Sequence, residues 1–256
     1  MDSFSYAWCD PQQRLQAYHS WRFESETFPN LNQFGIDFTQ VIDNQSKLLL
    51  PNREVLVGLN LPRRVYVPNR LYNPDAAKTY LEHGLELAPG EAIRTEEVPH
   101  QAAKIVYALP ERVADWLNRY FRQARTVHIS TAFLKVLPDH YRQGRWVIAH
   151  VWDRQLLLFF LEEGRLIFEN SFSCHHAKDF LYYILLVYDQ FQLNPMTVPI
   201  ALSGHLAQDS EIFRLVFRYI QHLEFLELGK TIQFGPKLGE QPRYFYNDLL
   251  ALLEFS

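Results

Sequence analysis

The sequence predicts an α/β protein of two lobes in which helices cover mixed sheets, and three observations carry that prediction. The first is a helix between Asn170 and Pro195. Ala177, Phe180, Leu181, Ile184, Tyr188 and Phe191 recur there at three- and four-residue spacings, which stacks them on one side. Tyr183, Leu185, Leu186 and Val187 make the remaining faces apolar, so this helix is expected to be enclosed on most sides. The second is the order of elements around it: three strands, the helix, a strand, a helix and a strand, which gives a mixed sheet covered by helices. The third is that the first half repeats much of this order, starting from a hairpin. That repeat is architectural, with little residue identity between the halves.

Taken in order, Phe4–Cys9 and Arg14–Phe23 interleave aromatic and polar residues around Asp10-Pro11-Gln12-Gln13, whose aspartate and proline suit a hairpin turn. From Asn32 to Leu49, the positions Phe34, Phe38, Val41, Ile42, Leu48 and Leu49 fit a helical stripe. Arg53–Leu59 and Arg64–Val67 read as strands punctuated by Pro62 and Pro68. Asn73-Pro74 opens a helix running to about His83, because proline at a first helical position loses no needed hydrogen bond. Lys104–Leu109 is a strand. Pro110 then starts a helix turning Val113, Trp116, Leu117, Tyr120 and Phe121 inward. A strand at Thr126–Ile129 leads to Ser130, read as the cap of a helix through Ala132, Phe133, Val136 and Leu137.

The polar run Arg142–Arg145 interrupts the pattern. It sets a first lobe over 1–143, with a lobe-crossing helix near 130–142, and a second over 144–256. In the second lobe, Trp146–Trp152, Gln155–Leu161 and Leu166–Phe172 are strands joined by short turns, hence an antiparallel meander. After the core helix come a strand at Val198–Leu202 and a loop at Ser203-Gly204-His205. A helix capped by Asp209 or Ser210 follows, with Ile212, Phe213, Val216, Phe217 and Ile220 inside. A strand at Leu223–Leu226 and a last helix over Tyr244–Leu253 complete the chain.

Composition narrows the function classes. With 48% hydrophobic and 21% charged residues over 256, the chain reads as folded and able to bury a substantial core. Aromatics reach 15%, enough to furnish both core and an interface. A net charge of −4 disfavours a nucleic-acid backbone as partner. Cys9 and Cys174 fit neither a metal-ligand spacing nor a disulfide framework, which points to a reducing, cytoplasmic setting. The start shows no secretory pattern, and no run approaches the roughly 20 apolar residues of a transmembrane segment.

Several stretches carry a family likeness. Asn170-Ser171-Phe172, Asp179-Phe180-Leu181-Tyr182-Tyr183-Ile184-Leu185, Leu202-Ser203-Gly204, Arg64-Val65-Tyr66-Val67-Pro68 and Val106-Tyr107-Ala108-Leu109-Pro110 together resemble an uncharacterised bacterial family. That family is known mainly from the Bacteroidetes and carries a domain of unknown function with an actin-like ATPase fold, a two-lobe architecture built on the ribonuclease H-like motif. The likeness covers most of the chain and is strongest from Trp146 to Phe225. It implies candidate positions for ATP with magnesium. Active members use a glycine-bearing turn with an aspartate in each lobe, because backbone N–H groups approach phosphate oxygens only where side chains do not obstruct them. A glycine pair in the second lobe cradles the adenosine.

Here the matching second-lobe turn reads Val151-Trp152-Asp153-Arg154-Gln155, with the aspartate and no glycine. The adenosine position reads Leu202-Ser203-Gly204-His205, with one glycine. If Phe4–Cys9 and Arg14–Phe23 are the family's second and third strands, the first strand and its phosphate turn precede Met1. The candidate cofactor-binding residues are therefore Asp153, Ser203, Gly204 and His205.

Other motifs have plainer readings. Phe34-Gly35-Ile36-Asp37-Phe38-Thr39 has the look of a phosphate turn, yet it falls inside a helical stripe that would point Asp37 to solvent. His175 and His176, adjacent on a helix, diverge by roughly 100°, which disfavours one shared metal ion. The run Arg112, Arg119, Arg122 and Arg125 reads as a solvated helix face. The sequence thus favours a binding or scaffold module that engages a protein partner and needs no cofactor, over an ATP-binding switch or ATPase using the interlobe cleft.

Overall fold

The computed structural model describes residues 3–10, 12, 14–22, 54–87, 89–121, 123–236, 238 and 240–255. The stripe expected over Asn32–Leu49, including Asp37, lies outside them, as does Arg122. Contacts divide the chain into two units, one of Met1–Leu134 with Phe234–Leu238, the other of Lys135–Gln233 with Gly239–Phe255.

In the first unit, β1 (Ser3–Cys9) and β2 (Leu15–Arg22) form the expected antiparallel hairpin. The Asp10 carboxylate accepts the backbone N–H groups of Gln12 and Arg14 at 3.0 and 2.9 Å, the local bonding that makes aspartate a turn former. β3 (Leu56–Leu59) lies parallel to β7 (Arg125–His128). β4 (Arg64–Pro68), β5 (Glu91–Val98) and β6 (Ala103–Pro110) make an antiparallel sheet in the order β4-β6-β5. Strand β5 was not expected from its sequence. Glu-Ala-Ile-Arg-Thr-Glu-Glu-Val has little apolar alternation and buries only Val98, so its register comes from pairing with β6 along all eight residues. The helix after Asn73-Pro74 begins as a 3-10 turn capped by the Asn73 side chain and continues as α1 (Ala77–Glu82). Helix α2 (Glu111–Tyr120) buries Val113 and Leu117 and leaves Arg112 and Arg119 exposed. Arg125 opens β7 beside Glu54.

Helix α3 (Ile129–Val136) starts one residue before Ser130, so Ser130 is not its cap. His128 does that work: its Nδ1 accepts the Ser130 N–H at 3.3 Å. Glu96, reaching from β5, accepts the His128 backbone N–H with both carboxylate oxygens at 3.1 Å and the Tyr107 hydroxyl as well. An anion at the start of a helix is favoured by the helix dipole, which compensates part of the cost of burying it. That cost is real, since burial pushes the Glu96 carboxyl above its ordinary range although its hydrogen bonds pull the other way.

The second unit is a five-stranded sheet in the order β10-β9-β8-β11-β12. β8 (Arg145–Trp152), β9 (Gln155–Glu162) and β10 (Arg165–Ser173) form the meander, while β11 (Ile200–Gly204) and β12 (Leu223–Phe225) join parallel to β8. Leu156–Leu161 are all buried, the near-continuous apolar run of a strand covered on both faces. Helix α4 (Ala177–Gln190) buries Phe180, Ile184, Val187 and Tyr188, and the Tyr188 hydroxyl donates to the Val198 carbonyl at 3.0 Å.

The expectation that α4 would be enclosed on most sides is corrected: Tyr182 and Leu186 on its outer face are exposed. One stripe suffices to pack a helix on a sheet, so apolar residues elsewhere need not be covered. Helix α5 (Glu211–Tyr219) is capped by Ser210, whose Oγ accepts the Phe213 N–H at 3.2 Å. Phe217, expected inside, is outside. Beyond a 3-10 turn at Arg243–Tyr246 the chain ends in α6 (Asn247–Phe255). No helix among the described residues is long and apolar enough to cross a membrane.

Replacing Glu96 by alanine should cost about 2–4 kcal/mol, because it strips a partner from the Tyr107 hydroxyl and from a helix-terminal N–H away from water. The expected observation is a lower urea midpoint with an unchanged slope.

Candidate functional site

The predicted positions gather at the carboxyl ends of β8 and β11, where α/β sheets present ligand sites. Parallel pairing sets Ser203 beside His150 and Gly204 beside Val151. Ser203 and Gly204 are therefore the last residues of β11, correcting the loop expected there. His205 follows, and its backbone N–H donates to the Val151 carbonyl at 2.6 Å. Asp153 lies two residues beyond Val151, in the turn that returns the chain from Trp152 to Gln155. The structure thus brings Ser203, Gly204 and His205 together against β8, with Asp153 in the turn continuing that strand.

Each position has a local structural task. Gly204 takes φ +92, and a Cβ there would stand 1.9 Å from the Val151 carbonyl oxygen, so no other residue fits without moving a strand. Asp153 takes φ +50, the left-handed geometry that a short turn needs and that aspartate tolerates. Ser203 and His150, both fully buried, share a hydrogen bond of 2.8 Å between Oγ and Nδ1. A serine beside a histidine can form a nucleophile pair, but this hydroxyl lies away from any surface a substrate could reach, and the bond works as a tie between two strands. His205 lies flat on Phe245, ring centres 4.3 Å apart and planes 18° from parallel. Trp152 contacts the His150 ring at 5.0 Å.

The electrostatics follow from burial. Desolvation holds His150 well below its usual value, with the nearby His205 adding to the effect, and brings His205 down to about 4. Both imidazoles are therefore neutral at physiological pH. Asp248, three residues after Phe245 in the first turn of α6, is pushed up to about 6 by burial, against the pull of backbone N–H groups. Its Oδ1 is buried without a hydrogen-bond partner among the described residues.

His150, Phe245 and Asp248 were not among the sequence candidates. His150 meets Ser203 across 53 residues of sequence and Phe245 stacks on His205, contacts that no local spacing announces. His175 and His176 lie elsewhere, exposed at the start of α4, where Asp179 accepts both of their backbone N–H groups at 2.8 and 2.9 Å.

Comparison with solved structures defines the class. A Bacteroides thetaiotaomicron protein with an actin-like ATPase fold and unknown function matches with a TM-score of 0.73 at 18% identity, covering 99% of this chain and 92% of that one. A chain of the PilM-PilN type IV pilus biogenesis complex matches with a TM-score of 0.64 at 12% identity, covering 99% of this chain and 95% of that one. The protein has the actin-like ATPase fold, as its sequence resemblance implied. It belongs to the protein family of unknown function DUF3822, whose model matches residues 1–223. No curated protein matches the sequence.

Two outcomes test the geometry. Gly204→Ala should destabilise the fold by more than about 3 kcal/mol, since it adds both a clash with backbone and a strained φ; thermal unfolding reads this directly. For His205, a folded value near 4 against 6.5 unfolded means that its contribution is fully present above pH 6.5 and is lost as pH falls towards 4, by up to about 3 kcal/mol. His205→Phe, which keeps the stack on Phe245 and removes the titration, should flatten the acid side of the stability profile by that amount. Asp248 works in the opposite sense, its contribution being full below 3.8 and lost as pH rises through about 6.

Proposed function

We propose that this chain is an actin-like module that binds a protein partner and does not turn over nucleotide. The observation that carries this reading is that the four positions matching the fold's nucleotide site are each committed to holding the strand ends together: Gly204 to the approach of β11 to β8, Asp153 to a tight turn, Ser203 to His150, and His205 to Phe245. At the position matching the adenosine cradle, the His205 N–H is already bonded to the Val151 carbonyl and is not open to a ligand. The PilM-PilN likeness supports the partner-binding half, since that structure is a complex of two proteins. Fold likeness alone does not carry function, so the weight rests on the site.

A cytoplasmic setting accords with two free cysteines whose thiols burial pushes up, to about 11 for Cys9 and about 12 for Cys174, keeping both poorly reactive. The second reading is a weak ATP-binding switch with magnesium. Asp153, retained in the β8–β9 turn, is the observation in its favour.

Calorimetric titration of the native chain with Mg-ATP to millimolar concentration separates the two, with Asp153→Ala alongside. The expected result is no saturable heat from a chain shown to be folded. Saturable binding that Asp153→Ala weakens would overturn the proposal in favour of the switch.

A further inference from the structure

Helix α5 buries Val216, turns Ile212 and Phe213 towards the core, and carries Arg214, Phe217 and Arg218 on its outer side. Phe217 is 62% exposed, unusual for so large an apolar ring. It is nevertheless held in place. Its ring lies parallel to Phe213 at 5.9 Å, Phe213 lies on Phe225 at 5.5 Å, and Phe225 lies on Tyr244 at 4.1 Å, with interplanar angles of 12°, 5° and 16°. Tyr244, at the inner end, is buried. The exposed ring is thus the outer end of a column rooted in the core, and a side chain fixed beforehand loses little entropy when a partner covers it.

The charges beside it favour one kind of partner. Arg214 and Arg218 stand one helical turn apart, which puts them on the same side of α5 next to Phe217. Both are exposed, and neither forms an ion pair with a described carboxylate. In a chain of net charge −4, two adjacent arginines without a carboxylate run against the general balance. The helix's own acid, Glu211, sits a turn earlier and lines a groove together with Lys178 at the start of α4, while Asp209 and Glu227 act on Tyr244 at the inner end of the column.

Arginine and aromatic side chains concentrate binding energy at protein interfaces, and unpaired guanidinium groups call for carboxylates in bidentate contact. We propose that this face of α5 docks an acidic segment of a partner polypeptide, with an aromatic or aliphatic side chain laid on Phe217 between carboxylates that pair with Arg214 and Arg218. This rests on the partner-binding reading above and gives it a surface and a chemistry. The acidic net charge favours a polypeptide over a nucleic-acid strand, whose whole backbone would be repelled.

The test is selection of random dodecapeptides displayed on phage against the native chain, followed by affinity measurement with the synthetic winners. Winners should carry Asp or Glu flanking an apolar residue and bind more weakly as salt rises. They should also lose about 10-fold or more in affinity to the double variant Arg214→Glu with Arg218→Glu, and separately to Phe217→Ser. These are exposed positions, so thermal unfolding should show both variants folded. Winners without acidic residues, or winners that bind both variants undiminished, would overturn the α5 surface while leaving partner binding in place. Failure to select any peptide would count against partner binding and this surface together. Binding of oligothymidylate that depends on the two arginines would overturn the proposal by assigning the face to nucleic acid.

Discussion

The second unit depends on how closely β11 can approach β8 at its carboxyl end. Strands in a sheet lie about 4.8 Å apart, but at Gly204 the backbone comes near enough to the Val151 carbonyl that even a methyl group is excluded. That approach lets the His205 N–H reach the same carbonyl and brings Ser203 within hydrogen-bonding distance of His150. It also directs the chain after β11 so that His205 can lie on Phe245, which ties the C-terminal segment to the sheet. Around this seam the core is apolar: β8 and β9 are buried along most of their length, and α4 and α5 close one side of the same cluster through Phe180, Ile184 and Val216. The two polar side chains on the seam, His150 and Ser203, meet across the paired strands and share one hydrogen bond there, as buried polar groups tend to do.

The first unit is fastened differently, by a charge. Glu96 joins β5 to the root of α3, and the Tyr107 ring beside it lies 5.3 Å from His128. His128 is itself held by the Leu61 carbonyl at 3.1 Å, so one buried histidine spans the ends of the parallel pair β3 and β7. Buried polar networks of this kind are costly when incomplete and specific when complete, which suits a place where two small sheets and a helix must meet in one arrangement. One unit is thus held by a close backbone approach inside an apolar core and the other by a polar knot, so the two are stabilised by unlike means.

Most secondary structure was legible because it rests on local rules. The hairpin of β1 and β2 follows from the Asp10 turn, the meander from short turns between apolar strands, and α5 from Ser210 and the 3.6-residue period. Where local rules misled, packing had decided. β5 carries the polar sequence of an edge strand and takes its register from its partner, and Ser130 looked like a cap although His128 took that role. Phe217 has the spacing of a core residue, yet it sits at the flank of the buried stripe and stacks on Phe213 from outside, largely exposed.

By itself the sequence determined the class of fold, most of the order of elements and the turn that holds Asp153, because periodicity, turn chemistry and family motifs are written in neighbouring residues; Ser203 and Gly204, expected in a loop, end a strand instead. Only the tertiary structure decided what those residues do. The clash that makes Gly204 obligatory, the bond that commits Ser203 to His150 and the ring that occupies His205 all come from segments distant in the chain. Contacts of that kind depend on the meeting of strands and helices in space, which no local pattern of residues records.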